Sequence, residues 1–193
     1  MRLALLEFSG SGGFHLWTMP LESDGAGLRG GKPEVFLQTG FDERHPKFSP
    51  DGRWLAYTSN ESGTFQVYVR AFPDRGGKWQ ISNSGGTYPV WSRAALGAGR
   101  ELFFRSPDNR IMVAAYTVKG DSIVADKPRV WSEMPLADLG VIGFGSYDLA
   151  PDGKRVAALM PAESPESERT QSHVILLLNF FDELRRKVPL NGK

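Results

Sequence analysis

His45-Pro46-Lys47-Phe48-Ser49-Pro50-Asp51-Gly52-Arg53-Trp54-Leu55-Ala56-Tyr57 decides the fold. A short apolar segment runs into Ser-Pro-Asp-Gly-Arg and out again into a strand-like run. Pro50 presets φ at the first central turn position, Asp51 can bond the backbone beyond it, and Gly52 tolerates a positive φ. The stretch therefore reads as a hairpin. It returns as Leu149-Ala150-Pro151-Asp152-Gly153-Lys154, followed by Val156-Ala157-Ala158-Leu159. Trp91-Ser92 stands where Phe48-Ser49 stands, a step of 43 residues from Ser49 to Ser92. From Ser92 to Ala150 the step is 58 residues, which leaves room for one inserted hairpin.

Units of about 40–45 residues with four strands have the period of a β-propeller blade. Aligned on the turns, the first strands are His45 to Phe48, Thr87 to Trp91 and Gly145 to Leu149. The second strands are Arg2 to Phe8, Arg53 to Ser59, Glu101 to Ser106 and Arg155 to Met160. The third are His15 to Pro20, Phe65 to Arg70, Ile111 to Thr117 and His173 to Asn179, and the fourth Glu34 to Gln38, Trp79 to Ser82 and Lys127 to Trp131. Aromatic and β-branched residues gather in these runs, while Pro and Gly fall between them. The sequence thus predicts one all-β domain, 1–193, of about four antiparallel blades of three to four strands, with approximate bounds 1–42, 43–85, 86–142 and 143–193. Asn179 to Val188 is the exception: a capping residue, a shared face of Phe180, Phe181, Leu184 and Val188, and a terminating Pro189 predict a short C-terminal helix that seals the last sheet.

Composition narrows the function classes. Of the 193 residues 40% are hydrophobic and 23% charged, with net charge +1, so nucleic acid finds no electrostatic footprint. The basic cluster Arg185-Arg186-Lys187 reads as a helix end. No stretch approaches the roughly 20 apolar residues of a membrane span. Met1 to Leu6 reads as a strand, since Glu7 interrupts it and no cleavage site follows an apolar core. The absence of cysteine excludes disulfides, zinc thiolates and a thiol nucleophile. As an isolated chain the protein reads as cytoplasmic; attached to a membrane-bound parent, it would lie outside the membrane.

The blade stretch quoted first resembles the signature of TolB-type, WD-repeat-like (PD40-type) propeller blades. Its continuation, Asn60-Glu61-Ser62-Gly63 and Gln66-Val67-Tyr68-Val69 followed by Phe72-Pro73, is similar to the C-terminal propellers of certain bacterial serine/threonine protein kinases. The close from His173 to Arg186 is similar to the ends of the same chains, so the resemblance spans nearly the whole sequence. It implies a sensory or interaction module, with phosphoryl transfer left to a separate domain. This chain has no His-Arg-Asp catalytic loop, no Asp-Phe-Gly, no kinase Gly-rich loop and no Gly-x-Ser-x-Gly elbow, so neither kinase nor serine-hydrolase activity carries over.

The remaining motifs fit turns and packing better than chemistry. Gly25-Ala26-Gly27-Leu28-Arg29-Gly30 has dinucleotide-fingerprint spacing but lies between two strands of one unit, where a hairpin loop is expected. Gly10 to Gly13 is a turn of the same kind. His15, His45 and His173 fall in three units without ligand spacing, and His45 is expected to make a structural hydrogen bond. Asp51 and Asp152 are expected to serve their turns, since one carboxylate supplies too few oxygens for calcium. Trp54, Trp79, Trp91 and Trp131 are expected between blades. No catalytic, cofactor-binding or metal residue is assigned, and no cofactor is expected.

Two functions follow. The first is a non-catalytic binding or sensor module for a protein, peptide or small ligand, with the inserted hairpin at Lys119-Gly120-Asp121 and the polar loop Glu163 to Ser172 as variable elements. The second is a hydrolase or lyase with a site at the central channel, drawing on His45, Lys47, Tyr88, Tyr147 and Asp148; it requires Asp148, His45 and Tyr88 to meet in one pocket. Roughly fourteen strands make only part of a typical four- to eight-bladed ring. We read the chain as a truncated relative of a longer propeller. A closed four-bladed ring and a ring of about eight blades completed by a second copy are the alternatives.

Overall fold

The computed structural model describes residues 1–10, 13–23, 25, 27–93, 100–138, 145–153 and 155–161, all within the unit Met1–Pro161. The third strand expected from His173, the polar loop from Glu163 and the C-terminal helix lie outside the described residues.

Among the described residues four antiparallel sheets follow one another along the chain. β1 (Arg2–Phe8) and β2 (Phe14–Ser23) form a long hairpin. β2 then pairs through its second half with β3 (Leu28–Gly30) and through its first half with β4 (Glu34–Leu37). The second sheet is a plain four-strand meander, β5 (Glu43–Phe48), β6 (Trp54–Ser59), β7 (Gln66–Ala71) and β8 (Lys78–Gln80). The third contains β9 (Thr87–Trp91), β10 (Glu101–Arg105), β11 (Ile111–Lys119), β12 (Ser122–Ala125) and β13 (Arg129–Ser132). Here β11 repeats the design of β2, taking β13 along one half and β12 along the other. The insertion expected from the longer step is therefore the β11–β12 hairpin, turning at Gly120. The last sheet pairs β14 (Tyr147–Leu149) with β15 (Val156–Ala158). The fold is all-β with blade-like antiparallel meanders, and among the described residues the sheets do not close a ring.

The turn chemistry is as the sequence implied. Ser49 N–H donates to the Trp54 carbonyl at 2.9 Å, and Ala150 N–H to the Arg155 carbonyl at 2.9 Å. Gly52 sits at φ 68° and Gly153 at φ 67°, the left-handed region that L side chains avoid. Ser49 Oγ donates to Asp51 Oδ1 at 2.6 Å, and Arg53 N–H reaches the same oxygen at 3.2 Å. Asp51 is thus part of its turn, and Asp152, which accepts from Arg155, is part of the equivalent one.

Strand alternation sends the middle strands of the second and third sheets into two cores. Trp54 and Ala56 of β6 enter the core shared with the third sheet; Leu55 and Tyr57 enter the one shared with the first. In β10, Leu102 and Phe104 face the second sheet while Phe103 faces the fourth, joining Val113 and Tyr147. Burial on both faces explains why these strands read as near-continuous apolar runs. Each large side chain so buried contributes about 1.5–3 kcal/mol. Trp54 meets Trp79 edge-on at 5.4 Å, Trp91 meets Tyr116 at 5.2 Å, and Trp91 Nε1 donates to the Lys47 carbonyl across the sheets at 2.9 Å. Trp54, Trp79 and Trp91 pack between sheets, as expected, whereas Trp131 is 36% exposed and meets Phe103 of its own sheet at 5.8 Å.

Candidate functional site: the inner-strand bulges

β5 and β9 are the inner edge strands of their sheets, and both are interrupted at the same place. The register of β5 on β6 slips between Arg44 and Lys47, and that of β9 on β10 between Thr87 and Val90. His45-Pro46 occupies the first slip and Tyr88-Pro89 the second. His45 and Tyr88 each adopt φ 53°. Proline contributes no N–H to a ladder and so suits a bulge on an edge strand. A left-handed conformation in a residue other than glycine costs about 1–2 kcal/mol, and bulges re-aim side chains where a site needs them. The same strained device thus occurs twice, 43 residues apart, carrying different side chains.

The two side chains meet. The His45 and Tyr88 rings stack with centroids 3.8 Å apart. The Arg105 guanidinium, from the end of β10, lies 4.6 Å from the Tyr88 ring centroid. Tyr147 of the fourth sheet donates its hydroxyl hydrogen to the Tyr88 carbonyl at 2.8 Å. Three consecutive sheets therefore converge on Tyr88. His45 Nδ1 lies 3.3 Å from Thr58 Oγ1 at the end of β6, the structural hydrogen bond expected of it. Its other nitrogen, Nε2, is buried without a hydrogen-bond partner, as are Arg105 Nε and the hydroxyl of Ser146, next to Tyr147.

Electrostatics hold the cluster in a defined protonation state. Burial, reinforced by the nearby charges of Arg44 and Arg105, pushes the His45 imidazole down to about 3, so it is neutral near pH 7. Burial also raises the Tyr147 phenol well above its ordinary value, keeping it a neutral donor. Arg44, Arg53, Arg70 and Arg110 each pair with a carboxylate, whereas among the described residues none pairs with Arg105.

Of the inner-strand residues considered from sequence, the structure brings His45, Tyr88 and Tyr147 together. Lys47 is exposed, and so is Asp148, whose Oδ1 accepts from the Leu149 N–H at 2.9 Å. Sequence reasoning missed Arg105. Its only signal was a charge closing the apolar run Leu102-Phe103-Phe104. His15 lies elsewhere, buried 3.2 Å from buried Glu43, which also accepts a hydrogen bond from Thr39. That set fastens the first sheet to the second. Among the described residues, no group of three or more His, Asp or Glu side chains is placed to hold a metal ion.

The inserted β11–β12 hairpin builds a second feature. Its Gly120 carbonyl accepts from Arg53 at 3.2 Å, and Asp121 stands 3.6 Å from Arg53 and 3.4 Å from Arg75. Together with Trp54, Ala71 and Phe72 these residues line a pocket of about 140 Å³. Both arginines are well exposed and already paired, so this pocket has the character of a surface contact between neighbouring sheets. Among the described residues no helix is long and apolar enough to cross a membrane.

No protein-family model and no curated protein matches the chain. Solved structures do, among them "putative TolB from Agrobacterium tumefaciens", at 16% identity and a TM-score of 0.43. That match covers 64% of this chain and 44% of the other, so the chain spans less than half the length of the protein it resembles.

Proposed function

We propose that the chain is a non-catalytic recognition module whose site is the cluster of His45, Tyr88, Arg105 and Tyr147. The observation that carries this reading is the repeated strained bulge. Two consecutive inner strands keep one costly backbone conformation while presenting different side chains, and polar atoms beside them are buried without partners. Strain at equivalent positions with variable chemistry is the pattern of a scaffold that displays a site. In the kinase-attached propellers that the sequence resembles, such a module would sense a ligand for a catalytic domain elsewhere, and the same division of labour is proposed for any longer parent of this chain.

Catalysis at the same place is less well supported. An imidazole at about 3 is too weak a base to take a proton near neutrality. Asp148, which the enzymatic reading required beside His45 and Tyr88, is exposed and bonded to its own strand.

The test is a selection from a displayed random peptide library and a fragment library, run in parallel on the wild-type chain and on Tyr88→Ala. Ligands retained by the wild type and lost by the folded variant support the module. Ligands that bind both equally, or none from either library, contradict it.

A further inference from the structure

We propose that the inner-strand cluster recognises a carboxylate, with Arg105 and His45, which both lie against the Tyr88 ring, as its two donors. This rests on the reading of that cluster as a binding site and names the chemistry of its ligand.

Three features of the site lead to a carboxylate. The first is the charge of Arg105. A guanidinium that is partly withdrawn from water ordinarily finds a carboxylate, because desolvating a charge without a partner is costly. Arg44, one of the arginines around this site, is held by Asp42. Arg105 is half-buried with its Nε orphaned, and its described contact is the face of Tyr88. The planar fork of a guanidinium matches the two oxygens of a carboxylate, so the unmet partner has a defined shape as well as a sign.

The second feature is the orphaned nitrogen of His45. The residue is 9% exposed, and Thr58 engages Nδ1. When the Thr58 hydroxyl donates to Nδ1, the proton of the neutral ring sits on Nε2, which then offers a hydrogen bond to an acceptor. Both orphaned donors, Arg105 Nε and His45 Nε2, belong to side chains that lie against the same Tyr88 ring.

The third is selectivity against cations. Among the described residues no carboxylate pairs with Arg105 or His45: Asp42 is taken by Arg44, and exposed Asp148 accepts from the Leu149 N–H. The charged groups nearest His45, apart from Asp42, are Arg44, Arg105 and Lys47, all positive. A site with two donors and a net positive surround suits an anion.

The experiment is nitrogen-15 NMR on the full chain, observing the histidine ring nitrogens and the arginine Nε–H groups. The probes are succinate, its neutral analogue succinamide, and Gly-Gly-Phe with either a free or an amidated C-terminus. The expected result is that His45 carries its proton on Nε2, and that succinate or the free-acid peptide shifts both the His45 Nε2 and the Arg105 Nε signals while the neutral counterparts do not. A response to succinate alone marks a free organic acid as the ligand, and a response to the peptide alone marks a chain terminus. Arg105→Gln should weaken the response at least about tenfold, since a charge-assisted hydrogen bond is lost. Arg105→Lys, which keeps the charge but not the fork, should fall between. If Arg105→Gln does not fold, the lysine variant and the neutral probes still decide. Equal shifts from the neutral and charged probes overturn the carboxylate while leaving a binding site. A proton on Nδ1, or no shift from any probe, also overturns it, and the library selection then judges the binding reading separately.

Discussion

β6 and β1 are the strands that the sequence repeat aligns, and their surroundings differ. β6 is buried along its whole length, with β5 and β7 on its edges and a core against each face. β1 has β2 on one edge, no described strand on the other, and a core against one face only, through Ala4. On its outward face Leu3 is 39% exposed, and Val35 of the same sheet, opposite Trp17, is 48% exposed. Almost the same kind of sequence thus makes two kinds of strand. The difference lies in how many sheets cover it, and the covered sheets are the ones that carry the strained bulges. Strain persists only where the surroundings over-determine a conformation. Packing on both faces of the second and third sheets supplies that constraint.

The sharpest way to break this comparison is to remove one apolar side chain from each region. Phe103→Ala, in a strand covered on both faces, should cost about 3–5 kcal/mol in urea unfolding. Val35→Ala should cost well under about 1 kcal/mol. Equal losses would mean that coverage is not what separates the two regions.

Acid should act through the covered region next. His45 is held at about 3 when folded against an ordinary value of 6.5, so between these values the unfolded chain binds the proton and the folded chain does not. This group's contribution to stability is therefore complete above about pH 6.5 and falls as the pH drops toward 3. His45→Phe, which keeps a ring against Tyr88, should flatten the loss of stability between pH 7 and pH 4. An unchanged pH profile would place the titrating group elsewhere.

The turn tests the repeat itself. Gly52→Val should destabilise by about 1–2 kcal/mol, since the position needs φ 68° and no atom crowds a Cβ there, which leaves backbone strain as the whole cost. Gly40→Ala, equally uncrowded and without a positive φ, should be neutral or slightly stabilising. The smallest effect belongs to the exposed pocket: Asp121→Asn should change stability by less than about 1 kcal/mol, because both of its ion pairs are exposed and screened.

Most of the fold was legible because its signals are local. Ser49-Pro50-Asp51-Gly52 fixes a turn by residue type, and strands buried on both faces announce themselves as apolar runs such as Leu102 to Phe104. β3 was missed as a strand because Leu28-Arg29-Gly30 sits in glycine-rich sequence with little to pack, and pairs only because β2 is long enough to reach it. The site was half legible. His45, Tyr88 and Tyr147 were noticed as polar residues on inner strands, but a residue before proline is normally extended, so a left-handed conformation at His45 and Tyr88 could not be read from the sequence. Arg105 became visible only when β10 was paired with β9, since what it touches depends on the bulge across from it. Lys47 and Asp148 were considered with the rest because alternation along a strand does not tell which side of a bulge a side chain will take.

The most direct test of the account is to map where a selected ligand lands, by amide chemical shifts over the whole chain. The account predicts that the largest shifts fall on Arg44, His45, Lys47, Thr87, Tyr88, Val90, Arg105 and Tyr147, with β1 and the Arg53–Asp121 pocket nearly silent. Shifts concentrated on β1 or on that pocket, with the inner-strand bulges unmoved, would contradict it.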